Sequence, residues 1–194
     1  SYIYHLNTHE TNLTFQEIFI EDIYFKHNLN LPQNSYIFDI GANIGLFSIQ
    51  AKIKYPNSNI FSFEPSPELY KLLFLNTKKF HSTVKTFQCG ISDYNKKVSF
   101  YYFPDYSIMS SFFQKTIVDE QIIQTGIKNN SKTSNKNSKI ISRRLLENFK
   151  ILNCQTISLS YFIKKKGIPK IDLLKVDAEK SEIDILKGIN KEDW

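Results

Sequence analysis

A short segment of the chain, residues 39–45, combines a carboxylate, two glycines and an amide in the order DIGANIG. It follows an apolar run and precedes a helical pattern. Glycine at such a turn lets the backbone approach a ligand closely, because no Cβ stands in the way. The first N–H groups of the following helix are free to bind the same ligand. We therefore predict a binding loop formed by Asp39, Gly41, Ala42, Asn43 and Gly45.

A second carboxylate, Glu64, ends the next predicted strand and is followed by Pro65. In an open α/β sheet, the carboxyl ends of neighbouring strands face one crevice. A carboxylate there can accept hydrogen bonds from both hydroxyls of a ribose. A tight turn with a solvated glutamate is the alternative interpretation.

The spacing of the glycines bears on which nucleoside would bind. Dinucleotide sites usually carry G-x-G-x-x-G, whose close glycines admit a pyrophosphate. Here Gly41 and Gly45 are separated by three residues, and Asp39 precedes them. A carboxylate at this place repels a pyrophosphate and attracts a cation, such as the sulfonium or ammonium of S-adenosylmethionine. We favour a methyl donor, with an NAD(P)-dependent reductase as the less favoured alternative.

Three further carboxylates, Asp177, Glu179 and Glu182, follow the predicted strand 171–176. Asp177 would face the same crevice, and the last two would share one face of a helical turn. They are the candidate catalytic residues, since an alcohol acceptor must lose a proton. An ordinary capping box at Ser181 remains an alternative for this segment.

Two weaker features complete the candidate site. Ser92 and Asp93 follow the third predicted strand and are within reach of an adenine amino group, although a plain turn explains them equally well. The aromatic and serine-rich segment 106–112 fits either a substrate pocket or core packing.

The elements that must position these residues alternate as strand, helix and strand. This order predicts right-handed crossovers and a doubly wound, mostly parallel α/β sheet. An Asn-, Ser- and Lys-rich segment, 128–139, is predicted to be a mobile insertion. Predicted strands cover residues 36–40, 59–63, 84–88, 98–103, 156–159 and 171–176, and the strand over 98–103 is predicted as a hairpin partner or an inserted strand. Predicted helices cover 14–27, 45–54, a segment from Pro67, 117–127, 145–149, a segment through Ile163 and Lys166, and a last one through Ile183, Leu186 and Ile189.

Composition excludes several classes of protein. The net charge is +6, but only two of the basic residues are arginine, so we expect no nucleic-acid partner. Two distant cysteines favour a reducing cytosol, and no apolar run reaches the length of a membrane span. His5 and His9 have the i,i+4 spacing of metal ligands but no third partner, so we predict no metal site.

Four segments together carry a resemblance to a known family. They are FDIGANIGLFS at 38–48, FSFEPSP at 61–67, GISD at 90–93 and IDLLKVDAEKSEIDILKGI at 171–189. In this order they resemble the FkbM-type S-adenosylmethionine-dependent methyltransferases. Three segments, YSIMSSFF, KVDAEKSE and the closing KEDW, resemble the O-methyltransferase domains embedded in polyketide and nonribosomal peptide synthetases. Stand-alone members usually carry glycine where this chain has Lys180.

The resemblance implies a class I, Rossmann-like methyltransferase domain over residues 36–194, preceded by a helical lead-in over 1–35. It implies S-adenosyl-L-methionine as the cofactor and a sheet that lacks its C-terminal strands here. The donor loop would be residues 39–45, Glu64 would bind the ribose, Ser92 or Asp93 the adenine, and Asp177, Glu179 and Glu182 would lie near the transferred methyl group.

The expected reaction is O-methylation of a small-molecule or carrier-protein-bound hydroxyl of a polyketide or peptide intermediate. An acyl carrier protein and flanking synthase domains are the expected partners, in the cytoplasm. A non-catalytic donor-binding or scaffolding module of a larger synthase is the alternative function.

Overall fold

Strands and helices alternate along most of the chain. A computed structural model describes residues 2–27, 29–130 and 134–193. Its strands are β1 (Tyr36–Ile40), β2 (Asn59–Phe63), β3 (Val84–Phe87), β4 (Gly90–Ile91), β5 (Lys96–Tyr102), β6 (Lys150–Ile157) and β7 (Leu173–Val176). Its α-helices are α1 (Thr8–Phe15), α2 (Leu46–Lys54), α3 (Pro67–Thr77), α4 (Ile117–Asn130), α5 (Asn135–Glu147), α6 (Leu159–Lys166) and α7 (Glu182–Lys187).

A four-stranded parallel sheet has the order β3-β2-β1-β7. Strands β2 and then β3 lie on one side of β1, and β7 lies on its other side. The strand order therefore reverses between β1 and β7, and ligands of open α/β sheets bind at such a reversal, beyond the carboxyl ends of the strands. Ile40 is in register with Phe63 on one side and with Val176 on the other, so these three strands end at one level.

Helices cover both faces of this sheet. Side chains from α2 and α3 pack with Ile37 and Ile60 on one face. Side chains from α6 and α7 pack with Phe38 and Phe63 on the other. Each strand contributes to both clusters because successive side chains point to opposite faces. This architecture confirms the predicted doubly wound, mostly parallel α/β fold.

A second sheet has three strands in the order β4-β6-β5. Strand β5 matches the strand predicted over 98–103, whereas the sheet as a whole was not predicted. Strand β6 is antiparallel to β5, from Lys96 opposite Thr156 to Tyr102 opposite Lys150. It begins at Lys150, whereas the sequence predicted a strand only over 156–159. Polar residues interrupt its apolar ones, so the sequence lacks the continuous apolar run that revealed the strands of the main sheet.

The N-terminal helix is displaced from its predicted range of 14–27. It starts at Thr8 because the Asn7 side chain accepts hydrogen bonds from the N–H groups of His9 (2.9 Å) and Glu10 (3.2 Å). One turn of π-helix, Gln16–Ile20, extends it. It ends before Asp22, which takes the left-handed conformation (φ 53°).

The segment predicted as a mobile insertion, 128–139, is largely helical. Helix α4 runs to Asn130 and α5 starts at Asn135, while residues 131–133 lie outside the described part of the chain. The two helices pack against each other, with the small side chains of Ser138 and Ser142 fully buried. Serine, asparagine and lysine together give this segment the composition of a loop. None of the described helices combines the length and the apolar character that crossing a membrane requires.

Replacing Gly41 with alanine tests how closely β1 and β7 approach. Gly41 has φ +73°, and a Cβ there would lie 2.0 Å from the Asp177 carbonyl oxygen. We expect Gly41→Ala to lower the free energy of unfolding by at least about 2 kcal/mol, measured by urea denaturation. Gly126→Ala is the matched control, since a Cβ at Gly126 meets nothing within 4 Å. It should raise stability by up to about 1 kcal/mol in helix α4. Equal stability of both variants would contradict the described approach.

Candidate active site

A cavity of about 380 Å³ lies at the carboxyl ends of β1, β2 and β7, where the strand order reverses. Its floor is the loop after β1 together with Glu64 and the segment after β7. Its roof comes from the N-terminal helix and the segment 106–112. Six of the eleven predicted site residues line it, namely Gly41, Ala42, Asn43, Glu64, Asp177 and Glu179.

The loop after β1 is held by its own backbone. The N–H groups of Gly41 and Ala42 donate to the Phe63 carbonyl, at 3.1 and 3.0 Å, and Gly45 N–H donates to the Ala42 carbonyl at 2.8 Å. Gly41 must be glycine because a Cβ there would collide with the Asp177 carbonyl. The prediction from the sequence had a different reason, the close approach of a ligand. Gly45 (φ +90°) packs against Leu73 of α3 and does not line the cavity.

The Asp39 carboxylate does not line the cavity. It is fully buried, with Oδ1 3.1 Å from the Lys175 ammonium, and Oδ2 accepts a hydrogen bond from Ser48 at 2.6 Å. Ser48 in turn lies 2.7 Å from Ser62 on β2. Direct attraction of a ligand's cation to Asp39 was the expectation. Instead, Asp39 acts on the site through Lys175.

Lys175 connects the two strands that border the reversal. Its ammonium comes from β7 and donates to the Gly41 carbonyl (2.8 Å) and the Ile40 carbonyl (3.3 Å) at the end of β1. It also lies 3.6 Å from the Asp177 carboxylate. The sequence analysis missed Lys175 because it sits inside an apolar run that predicts a strand. A lysine in such a run is itself a signal, since it must find a partner when buried.

Glu64 is buried at the end of β2, and its pKa is shifted. Its two carboxylate oxygens accept hydrogen bonds from the N–H groups of Asn43 and Ser66, each at 2.9 Å. Burial raises its pKa to about 7, against the lowering effect of these two N–H groups. Each oxygen has a remaining lone pair, so Glu64 is able to accept further hydrogen bonds from a ligand.

Asp177 and Glu179 lie on the segment after β7, at the cavity wall. Asp177 accepts a hydrogen bond from the Tyr24 hydroxyl at 2.9 Å. Glu179 lies 3.9 Å from the ammonium of Lys115, whose side chain is 6% exposed. Burial lowers the pKa of Lys115. The described residues donate no hydrogen bond to the Glu179 carboxylate, which leaves its oxygens able to accept a proton.

Besides Asp39, four predicted residues stand apart from the cavity for identifiable reasons. Glu182 begins helix α7 and is exposed, so it does not share a helix face with Glu179. Ser92 is buried against Asp93, and the Asp93 carboxylate lies 2.8 Å from Lys96. The hydrogen bond from Lys96 is the main cause of the lowered pKa of Asp93. The adenine contact of Ser92 and Asp93 remains a prediction. Gly45, which packs against Leu73, is the fourth residue outside the cavity.

The roof contributes residues that the sequence analysis did not select. Glu10 of α1 is buried, and both its oxygens accept hydrogen bonds from Ser107, from the N–H (2.9 Å) and from the hydroxyl. Ser107 also accepts a hydrogen bond from the Asn43 side chain at 3.4 Å. The segment 106–112 lines the cavity, and part of it is buried, so both interpretations of that segment apply. Glu10 carried no signal in the sequence, because it lies outside the helix range predicted for this region.

The charges around the cavity are strongly unbalanced. Five carboxylates line it, and Lys175 is the one basic residue among the described residues that line it. The whole chain, by contrast, carries a net charge of +6. Burial, followed by the charges of Glu21 and Asp177, raises the pKa of Glu17 in the roof. Such a cavity favours a cationic ligand. The five carboxylates are Glu10, Glu17, Glu64, Asp177 and Glu179.

Comparison with known proteins supports a family assignment. The family model described as the Methyltransferase FkbM domain matches residues 39–194. The chain belongs to the FkbM methyltransferase family. It is 30% identical to 31-O-demethyl-FK506 methyltransferase FkbM of Streptomyces tacrolimicus, over 98% of this chain and 73% of that protein. It is 32% identical to Methyltransferase sdnD of Sordaria araneosa, over 98% of this chain and 73% of that protein.

A third relative is much longer. AMB antimetabolite synthetase AmbE of Pseudomonas aeruginosa is 30% identical over 95% of this chain, but the chain spans 9% of that protein. The match therefore concerns one segment of a large synthetase.

Lys180 stands where the resemblance described above leads us to expect glycine, and its backbone gives a reason for that expectation. Its φ of 65° lies in the left-handed region, where a residue with a Cβ is strained. Its ammonium pairs at 2.7 Å with Asp119, which is 1% exposed at the start of α4. In this FkbM-family chain the ion pair offsets the strain and attaches the segment after β7 to α4.

Removing the Lys175 ammonium tests whether Asp39 depends on it. We expect Lys175→Met to destabilise the protein by about 3–5 kcal/mol at neutral pH, because a buried carboxylate loses its counter-charge. The double variant Asp39→Asn/Lys175→Met should recover most of this loss in denaturant unfolding. Lys187→Met removes an exposed pair and should change stability by less than about 0.5 kcal/mol. A Lys175→Met protein as stable as the Lys187→Met control would show that Asp39 needs no such partner.

The raised pKa of Glu64 predicts how stability depends on pH. The folded protein holds its extra proton between the ordinary pKa of 4.5 and about 7. The free energy of unfolding should therefore fall as pH rises through this window, by an amount on the order of 3 kcal/mol. Glu64→Gln should lose this component in urea denaturation across the window. An identical pH dependence in the two proteins would refute the assignment to Glu64.

Proposed function

We propose that this FkbM-family chain transfers a methyl group from S-adenosylmethionine to an oxygen atom. The observation that carries the proposal is the acidic cavity at the strand-order reversal, in a chain that is otherwise basic. A nucleoside that bears a sulfonium and an ammonium group matches this charge. The pyrophosphate of a nicotinamide dinucleotide does not.

The residues present fit such a donor. Glu64 would accept hydrogen bonds from the ribose hydroxyls, because its carboxylate is fixed by two backbone N–H groups and retains free lone pairs. The loop 41–43 would lie against the donor, and Asp177 would face its cationic groups from the other side of the reversal. When bound, S-adenosylmethionine supplies an activated methyl group on positively charged sulfur.

The remaining requirement is removal of the proton from the acceptor hydroxyl. Glu179 is the best placed base, because it lines the cavity and its oxygens accept no hydrogen bond from the described residues. Asp177 already accepts a hydrogen bond from Tyr24 and is oriented by it. Alignment of acceptor and methyl group then determines the rate, since the donor is intrinsically reactive.

The acceptor we propose is a hydroxyl of a carrier-protein-tethered polyketide or peptide intermediate. Support comes from two relatives, a 31-O-demethyl-FK506 methyltransferase and an antimetabolite synthetase. The net charge of +6 suits an acidic carrier protein.

The test uses methyl-labelled S-adenosylmethionine with a 3-hydroxyacyl carrier protein and the full-length protein. We expect label on the acyl chain, and Glu179→Gln should slow transfer about 10²–10⁴-fold without weakening donor binding. Glu182→Gln is the matched control, because Glu182 is on the same segment but outside the cavity. It should transfer at the normal rate.

Two outcomes would overturn the proposal. Donor binding by calorimetry without label on the acyl chain would favour a donor-binding module of a larger synthase. Equal losses of rate in the Glu179 and Glu182 variants would remove Glu179 as the base.

A further inference from the structure

The outer edge of β3 is free to pair with another strand. Among the described residues, β3 pairs with β2 alone. The carbonyls of Thr83 and Phe87 accept hydrogen bonds from Ile60 N–H and Glu64 N–H on β2. Successive residues of a strand direct their N–H and C=O groups to opposite sides. Val84 and Thr86 therefore present their backbone groups outward, where another strand is able to bind.

A groove of about 590 Å³ straddles this edge. On the α3 side, Tyr70 and Phe74 line it beside Val84 and Thr86. On the other side, Phe61 and Phe87 line it below the end of α6. A strand added to β3 would point its side chains alternately into these two halves. The groove therefore offers apolar contacts on both faces of an added strand.

The charges of the groove have one sign. Lys78, Lys85 and Lys166 line it, and no aspartate or glutamate is among the described lining residues. None of these three ammonium groups lies within 4.0 Å of a described carboxylate, unlike many other lysines of the chain. The Lys85 ammonium turns back to the His81 carbonyl at 3.0 Å, so it does not block the edge.

We infer that the β3 edge binds an extended, acidic segment of another polypeptide by strand addition, with its apolar side chains in the groove and its carboxylates beside the three lysines. A second copy of this chain is disfavoured, because it would bring lysines against lysines. Single-stranded nucleic acid would use the aromatic and basic groups but not the free backbone edge. This surface is separate from the cavity and does not depend on methyl transfer.

The probe is a short fluorescent peptide of alternating glutamate and valine, with the lysine and valine peptide as its control. We expect the acidic peptide to bind and the basic peptide to fail, by fluorescence anisotropy. Binding should weaken at least about tenfold between about 0.1 M and about 0.5 M salt. Lys166→Glu should weaken binding at least about tenfold, whereas Lys165→Glu, one position away and outside the groove, should not.

Thr86→Pro separates strand addition from simple charge attraction. Proline removes one outward N–H group and leaves the bonds to β2, so the protein should fold with a normal melting temperature. It should no longer bind the acidic peptide, whereas Thr86→Val, which keeps the N–H group, should bind normally. Normal peptide binding by a folded Thr86→Pro protein would overturn the proposal. So would equal binding of both peptides, or an oligothymidylate that binds more tightly than the acidic peptide.

Discussion

The buried ion pair between Asp39 and Lys175 is the interaction on which the rest of the structure depends. It joins the ends of β1 and β7, the two strands between which the sheet order reverses. A buried carboxylate without a partner is strongly unfavourable, so the two strands are held at one register. The same ammonium binds two carbonyls at the end of β1 and approaches Asp177. The cavity therefore exists where the pair places the strand ends.

This arrangement also explains why the carboxylates have different roles. Asp39 is neutralised inside the fold by Lys175, whereas other carboxylates line the cavity and face a ligand, among them Glu64 with its raised pKa. Tyr24 fixes Asp177, Ser107 fixes Glu10, and backbone N–H groups fix Glu64. The N-terminal helix thereby contributes to the site as well as to the core. A fixed set of carboxylates around one cavity is the arrangement that electrostatic recognition of a cation requires.

The sequence predicted the parallel sheet and the loop after β1, because continuous apolar runs and glycine turns are local signals. It also placed Glu64 and Asp177 correctly at the ends of strands. It did not reveal the role of Lys175 or Glu10, since their partners are distant in the chain. Helix α5 was largely missed for a different reason: its buried residues include Ser138 and Ser142, and composition alone assigns serine-rich segments to loops. Contacts between distant residues and small-residue packing are the information that local patterns lack.

We propose that the carboxylate-lined cavity at the β1–β7 reversal selects a cationic nucleoside over a dinucleotide. Calorimetric titration of the full-length protein at about pH 8, where Glu64 is ionised, with S-adenosylmethionine and with NADH measures this selection directly. We expect one saturable site for S-adenosylmethionine and no heat of binding for NADH. Binding of NADH with equal or greater affinity, or no binding of S-adenosylmethionine by the folded protein, would contradict it.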